Sequence, residues 1–201
     1  MPYYQAEASM ARRRAAFVSA LLDIAGDVRF LWVPAPGETP TSTDRTLNAA
    51  TITYDATIAG QISGLGYGVQ VSFNGSTDEA DTPDAARYTF NDAAGAGFSI
   101  VALVNVTNTA TTRTILNKAE GALTDGEYSF SVHASTDTLR LYLTDESVAV
   151  SPLRASDAAT TMGAWSLKGC TYDGSGGATA ANGITLYQDG LAIASTATNE
   201  A

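Results

Sequence analysis

The stretch from Trp165 to Ser195 constrains this chain most, because it holds two Asp-Gly pairs, each closing a strand-like run. The first run, Trp165 to Tyr172, ends at Asp173-Gly174, a turn dipeptide. The second run alternates, with Ile184, Leu186 and Gln188 on one side and Thr185 and Tyr187 on the other. Asp189-Gly190 follows it, and Leu191-Ala192-Ile193-Ala194 lies beyond. An Asp-Gly pair between such runs predicts a tight hairpin, because the right-twisted turn needs positive φ at both central residues.

Short β-runs of this kind recur from Leu65 onward, at 67–73, 86–90, 97–106, 112–118, 126–134, 138–144, 147–150, 164–172, 184–188 and 191–196. Gly, Asp, Asn and Thr clusters separate them, so the expected fold class is all-β, an antiparallel two-sheet sandwich. Tyr128, Phe130 and Val132 alternate with Ser129, Ser131 and His133, which predicts a strand with one apolar and one polar face. Ser135-Thr136-Asp137 suits the turn that follows. Residues 98–106 are almost continuously apolar, which predicts a central strand covered on both sides.

The front of the chain reads differently. Phe17, Leu21, Ile24 and Val28 recur at helical spacing, and alanines fill much of 7–25, so a helix is expected there. Ser9 suits its start and Gly26 its end. Arg12-Arg13-Arg14 point in different directions around a helix, so a docking helix is favoured over a membrane or nucleic-acid binder. Residues 28–33 suggest a short strand, and the Pro- and Thr-rich 34–48 a linker. Residues 49–62 suit a strand pair or an arm. The expected organisation is a docking arm over 1–33, a linker or extended arm over 34–62, and a sandwich over 63–201.

Composition narrows the function. The chain has 201 residues, 45% apolar and 16% charged, which is enough for a real core. A net charge of −10, with Lys118 and Lys168 as its two lysines, argues against a nucleic-acid partner. No window approaches a membrane-spanning length, and no signal peptide is evident at Met1-Pro2-Tyr3-Tyr4, so synthesis in a host cytoplasm is expected. Cys170 lies in a strand-like run and reads as a small buried apolar group, since the one histidine, His133, lies in another run.

Few residues suggest chemistry. Asp78, Glu79, Asp81 and Asp84 form an acidic cluster, read as a solvated loop; were calcium to bind, Asp78 and Asp81 would be its ligands. Asp125, Glu127, Asp145 and Glu146 sit at turns and read as turn residues. No nucleophile elbow or phosphate loop occurs, so no catalytic residue is assigned and no cofactor is expected. Tyr67, Tyr142, Tyr172, Tyr187 and Trp165 offer sugar-stacking candidates, Tyr67, Tyr142 and Tyr187 foremost, although most aromatics of a sandwich pack in its core.

The order Trp165, Thr171-Tyr172-Asp173-Gly174-Ser175, Leu186-Tyr187-Gln188-Asp189-Gly190 resembles the laminin-G-like, concanavalin A-like jelly-roll family. That family usually has Val or Asn where Gln188 stands. Val69 to Ser76, Phe98 to Val106, Tyr128 to His133 and Leu139 to Leu143 resemble its earlier strands, so the likeness spans about residues 65–198. Where the family ends in two further strands, this sequence stops at Ala201. The resemblance thus leaves either a truncated piece or replacement strands, drawn from 28–33, 49–58 or a neighbouring subunit. The Glu-x-Asp-x-x-Glu run of the β-glucan hydrolases of the family is absent.

Domains of this kind without secretion signals resemble those of phage decoration, tail and fibre proteins. The resemblance implies a non-enzymatic virion protein whose partners are other virion proteins or copies of itself. Its assembly contacts would be Phe17, Leu21, Ile24, Val28 and Trp32. The alternative is a carbohydrate-binding module directed at a cell-surface glycan.

Overall fold

A computed structural model describes residues 32, 41–43, 46, 49–55, 57–62, 69–89, 97–107, 110–119, 126–144 and 151–199. They are mostly β, in antiparallel sheets. The helix expected at 7–25 lies outside them, as do Phe17, Leu21, Ile24, Val28 and Tyr67. The chain divides into two compact units, Met1–Arg87 and Tyr88–Ala201.

In the first unit the described strands are β1 (Thr41–Thr43), β2 (Thr51–Asp55), β3 (Thr57–Ile62), β4 (Val69–Ser72) and β5 (Glu79–Asp81). β1, β2 and β5 form one antiparallel sheet in that order, and β3 pairs with β4. Along β2, Ile52 and Tyr54 are buried while Thr51 and Thr53 are exposed, the period of two that a strand with one covered face requires. Trp32 is half-buried; its indole N–H donates to the Tyr54 hydroxyl at 2.9 Å, and its ring meets Phe73 nearly edge-on at 6.3 Å.

Of the two alternatives expected over 49–62, a strand pair or an arm, the structure has strands, so the linker or extended arm expected over 34–62 gives way there. Thr51–Asp55 and Thr57–Ile62 are laddered strands, and Val69–Ser72 and Glu79–Asp81 pair with them inside the first unit rather than with the sandwich strands. Thr51–Asp55 and Thr57–Ile62 pair with β1, β5 and β4, so they do not replace the sandwich strands that the resemblance leaves missing. The acidic stretch also departs from a plain loop, since Glu79–Asp81 is a strand against β2. The run expected at 86–90 begins as a 3-10 turn, Ala86–Tyr88.

The second unit holds β6 (Phe98–Asn105), β7 (Arg113–Ala119), β8 (Gly126–Val132), β9 (Leu139–Leu143), β10 (Leu153–Ser156), β11 (Trp165–Tyr172), β12 (Ile184–Gln188), β13 (Leu191–Ala192) and β14 (Ser195–Thr198). One antiparallel sheet runs β14-β10-β9-β8-β7 and the other β13-β12-β11-β6. Phe98 and Ile100 of β6, Tyr128, Phe130 and Val132 of β8, Leu139 and Leu141 of β9, Cys170 of β11, and Ile184 and Leu186 of β12 share one core. The body is therefore sandwich-like, each strand turning alternate residues inward. Each large side chain buried there stabilises by roughly 1.5–3 kcal/mol.

Two details follow from packing. The expected run 191–196 is broken: Leu191–Ala192 ends one sheet and Ser195–Thr198 joins the other, with Ile193 packed against the core between them. Ser129 and Ser131, on the face of β8 away from the core, are nonetheless buried. Ser129 stands between Asn117 and Tyr142, and Ser131 between Thr114 and Arg140, so each small serine is flanked by bulkier residues.

β6 is a correction. Its apolar run predicts a central strand covered on both sides, yet it ends its sheet among the described residues. Its burial alternates, leaving Val101 67% and Leu103 46% exposed.

Candidate functional site: an uncharged outer sheet face

The ladders of β6, β11, β12 and β13 define the face turned away from the core. Directly opposed residues of an antiparallel pair point to the same side. Ser99, Thr171 and Thr185 therefore form one row. Val101, Gly169, Tyr187 and Ala192 form the next, Leu103 and Leu167 a third, and Asn105 and Trp165 a fourth. None of these residues is charged, in a chain of net charge −10. Val101, Leu103, Trp165 and Leu167 are exposed.

Gly169 makes this face concave. It interrupts the second row with a hydrogen atom, leaving a trough of about 270 Å³ lined by Ser99, Val101, Leu167, Thr171 and Tyr187. A Cβ at Gly169 would lie 3.2 Å from the Ile100 carbonyl oxygen and 3.8 Å from the Tyr187 Cβ. The Tyr187 hydroxyl lies 3.4 Å from Thr171 Oγ1. An apolar floor with a few hydroxyls at its margin suits a weakly polar ligand or another protein surface.

The Asp-Gly pairs hold the face in shape. Asp189 (φ 51°) and Gly190 (φ 83°) form the predicted hairpin turn between β12 and β13. The Asp189 carboxylate accepts the Leu167 N–H at 2.9 Å, and its own N–H donates to the Leu167 carbonyl at 2.8 Å. At the other end, Asp173 accepts the Ser175 N–H at 2.9 Å, and the Gly176 N–H donates to the Tyr172 hydroxyl at 2.7 Å. Gly183 leaves the space that the Asp173 carboxylate fills.

The stacking candidates separate. Tyr187 and Trp165 share this face, whereas Tyr142 lies on the outer face of the other sheet, opposite Ser129 and Leu153, where its hydroxyl accepts from Arg140 at 3.3 Å. Tyr142 and Tyr187 thus do not form one platform. Tyr172 points inward and packs 5.7 Å from Phe98.

Behind the face lies a polar cluster that sequence reasoning missed. Lys168 is fully buried; its ammonium donates to Thr160 Oγ1 at 2.6 Å and to the Thr161 carbonyl at 3.0 Å. Gln188 Oε1 accepts from Thr160 Oγ1 at 2.5 Å and from the Thr161 N–H at 2.9 Å, and its amide nitrogen donates to Thr161 Oγ1 at 2.9 Å. Burial pulls the Lys168 pKa below its ordinary value, partly opposed by Asp189. The available signal was alternation: Lys168 is two residues from Cys170 and so shares its inward side.

Asp78 accepts from the Asn74 N–H at 2.9 Å and the Asn74 side-chain amide at 2.8 Å, while Asn74 Oδ1 accepts from the N–H groups of Ser76, Thr77 and Asp78. Asp81 is exposed on β5, opposite Thr53. Among the described residues, no three His, Cys, Asp or Glu side chains gather as metal ligands. Glu127 lies within β8, where its carboxylate takes the Lys118 ammonium and the Thr89 hydroxyl. His133 Nδ1 lies 3.1 Å from Thr136 Oγ1 in the β8–β9 turn. Cys170 is buried, and burial pushes its thiol pKa up to about 12, far from the thiolate that nucleophilic chemistry needs.

No protein-family model and no curated protein matches this chain.

Proposed function

We propose that the chain is a non-enzymatic structural protein of a virus particle, a decoration, tail or fibre component, whose second unit is a jelly roll of the concanavalin A-like kind. The observation that carries this reading is the uncharged, apolar outer face of β6, β11 and β12 on an otherwise acidic chain. Such a face is suited to burial against another subunit, because no charge must be desolvated there. The arm over residues 1–33 supplies the second contact in this reading. Its test is particle incorporation: deleting residues 1–33 leaves the second unit folded and abolishes co-purification with the assembled particle. Normal incorporation of the shortened protein defeats the docking role of the arm.

A second reading, a carbohydrate-binding module, draws support from Trp165 and Tyr187 on one uncharged face, with the hydroxyls of Ser99 and Thr171 beside Tyr187. It predicts saturable glycan binding that Trp165→Ala and Tyr187→Ala both abolish. Absence of binding across a broad glycan array removes this reading and leaves the first intact.

A further inference from the structure

The clearest mismatch between sequence and fold is β6. Its composition is that of a central strand, apolar toward both faces, yet it terminates its sheet among the described residues. The other sheet ends of the second unit carry the features that discourage strand addition. β13 is two residues long and β14 four. β7 carries Arg113 and Lys118 and two register irregularities. β6 runs eight residues with no charge and no proline, in unbroken register with β11. A long, regular, apolar edge is a template for another strand.

The strand is also self-complementary. About a two-fold axis at Ala102, antiparallel pairing places Val101 opposite Leu103 of the second copy and Ser99 opposite its Asn105 on the outer face. On the inner face it places Ile100 opposite Val104 and Ala102 opposite itself. Apolar meets apolar and polar meets polar at each position, as an isologous interface requires. Two copies of a chain with net charge −10 repel over most of their surface, and this edge brings them together where no side chain is charged.

We propose that β6 pairs antiparallel with β6 of a second copy, joining two four-stranded sheets into one and making β6 the interior strand its composition demands. The outer faces of both copies then lie on one side, with the Val101 and Leu103 pairs continuing the apolar surface across the junction. This rests on the assembly reading of the same face, and names a second copy as its first partner.

Sedimentation of the full chain tests it. The wild-type protein is expected to be a dimer at micromolar concentration. The double variant Val101→Lys, Leu103→Lys sets lysines opposite lysines and is expected to raise the dissociation constant on the order of tenfold or more. Val101→Glu, Leu103→Glu does the same, and mixing the two restores a dimer, which a general loss of folding does not do. Hydrogen exchange needs no variant: the β6 amides of the wild type should lose protection on dilution. A wild-type monomer, charged variants that dimerise like the wild type, or β6 amides equally protected in the monomer would each overturn the pairing. A monomer that still enters particles overturns the pairing alone, whereas a dimer that never enters one overturns the virion reading alone.

Discussion

Lys168 and Gln188 stand directly opposite each other in the β11–β12 ladder, and both reach Thr160 Oγ1 on the loop after β10. That loop closes one end of the sandwich: the Thr160 N–H donates to the Asp137 carbonyl, and the Gly163 N–H to that of Val106. Gln188 thus accepts the two donors that the loop turns inward. Replacing it with alanine leaves the Thr160 hydroxyl and the Thr161 N–H without their acceptor and should cost about 1–3 kcal/mol in chemical denaturation. Lys168→Met, which removes a buried ammonium and keeps its stem, should change stability by no more than about 1 kcal/mol, or raise it. A larger loss for Lys168→Met would show that its hydrogen bonds outweigh its desolvation.

The same lysine predicts a pH dependence. Burial lowers its pKa in the folded state below the ordinary value of 10.5 that it regains on unfolding. Between those two values the unfolded chain binds more protons, so stability rises with pH through that window. Below the folded value both states are protonated and the penalty is constant; above 10.5 both are neutral and it is gone. The stability difference between wild type and Lys168→Met should therefore shift in favour of the wild type as pH climbs toward the lysine range. A difference independent of pH would mean that Lys168 is solvated in the folded protein.

Gly183 and Asp173 are coupled by space. A Cβ at position 183 would lie 2.0 Å from Asp173 Oδ1. Gly183→Ala should displace that carboxylate from the Ser175 N–H and destabilise by about 1–3 kcal/mol. Asp173→Ala in the same chain should recover part of the loss, giving a coupling of roughly 0.5–3 kcal/mol in a double-mutant cycle. Additive effects would separate the two residues.

At the β12–β13 turn, Gly190 adopts φ 83°. Gly190→Val should lower stability by roughly 1–2 kcal/mol, the cost of a left-handed backbone with a Cβ, and Gly190→Asn by less. Equal melting temperatures for the three proteins would contradict the turn.

Cys170 should resist thiol reagents at mildly alkaline pH until the protein is denatured, because it is 1% exposed and its pKa is pushed up to about 12. Labelling of the native protein at the rate of a free thiol would take it out of the core.

Local chemistry made much of this fold legible. The Asp189-Gly190 turn, the alternation of β8 and β12, and the bounds of β9 and β11 to within a residue or so follow from φ preferences and a period of two, which depend only on neighbours in the chain. The inward side of Cys170 follows in the same way.

What lay beyond the sequence was which strand stands beside which. Alternation places Tyr142 and Tyr187 away from the core, but only the assignment of their strands to different sheets sets them on opposite sides of the sandwich. Strand β5 was hidden in an acidic stretch that reads as a loop, because its partner β2 lies some way back in the sequence. Lys168 looks like any strand lysine until Thr160, Thr161 and Gln188 arrive from other elements to replace its water. By itself the sequence determined turns and faces, since those energies are local. Tertiary structure decided edges, neighbours and the burial of a charge, since those depend on contacts that exist only once the sheets have closed on each other.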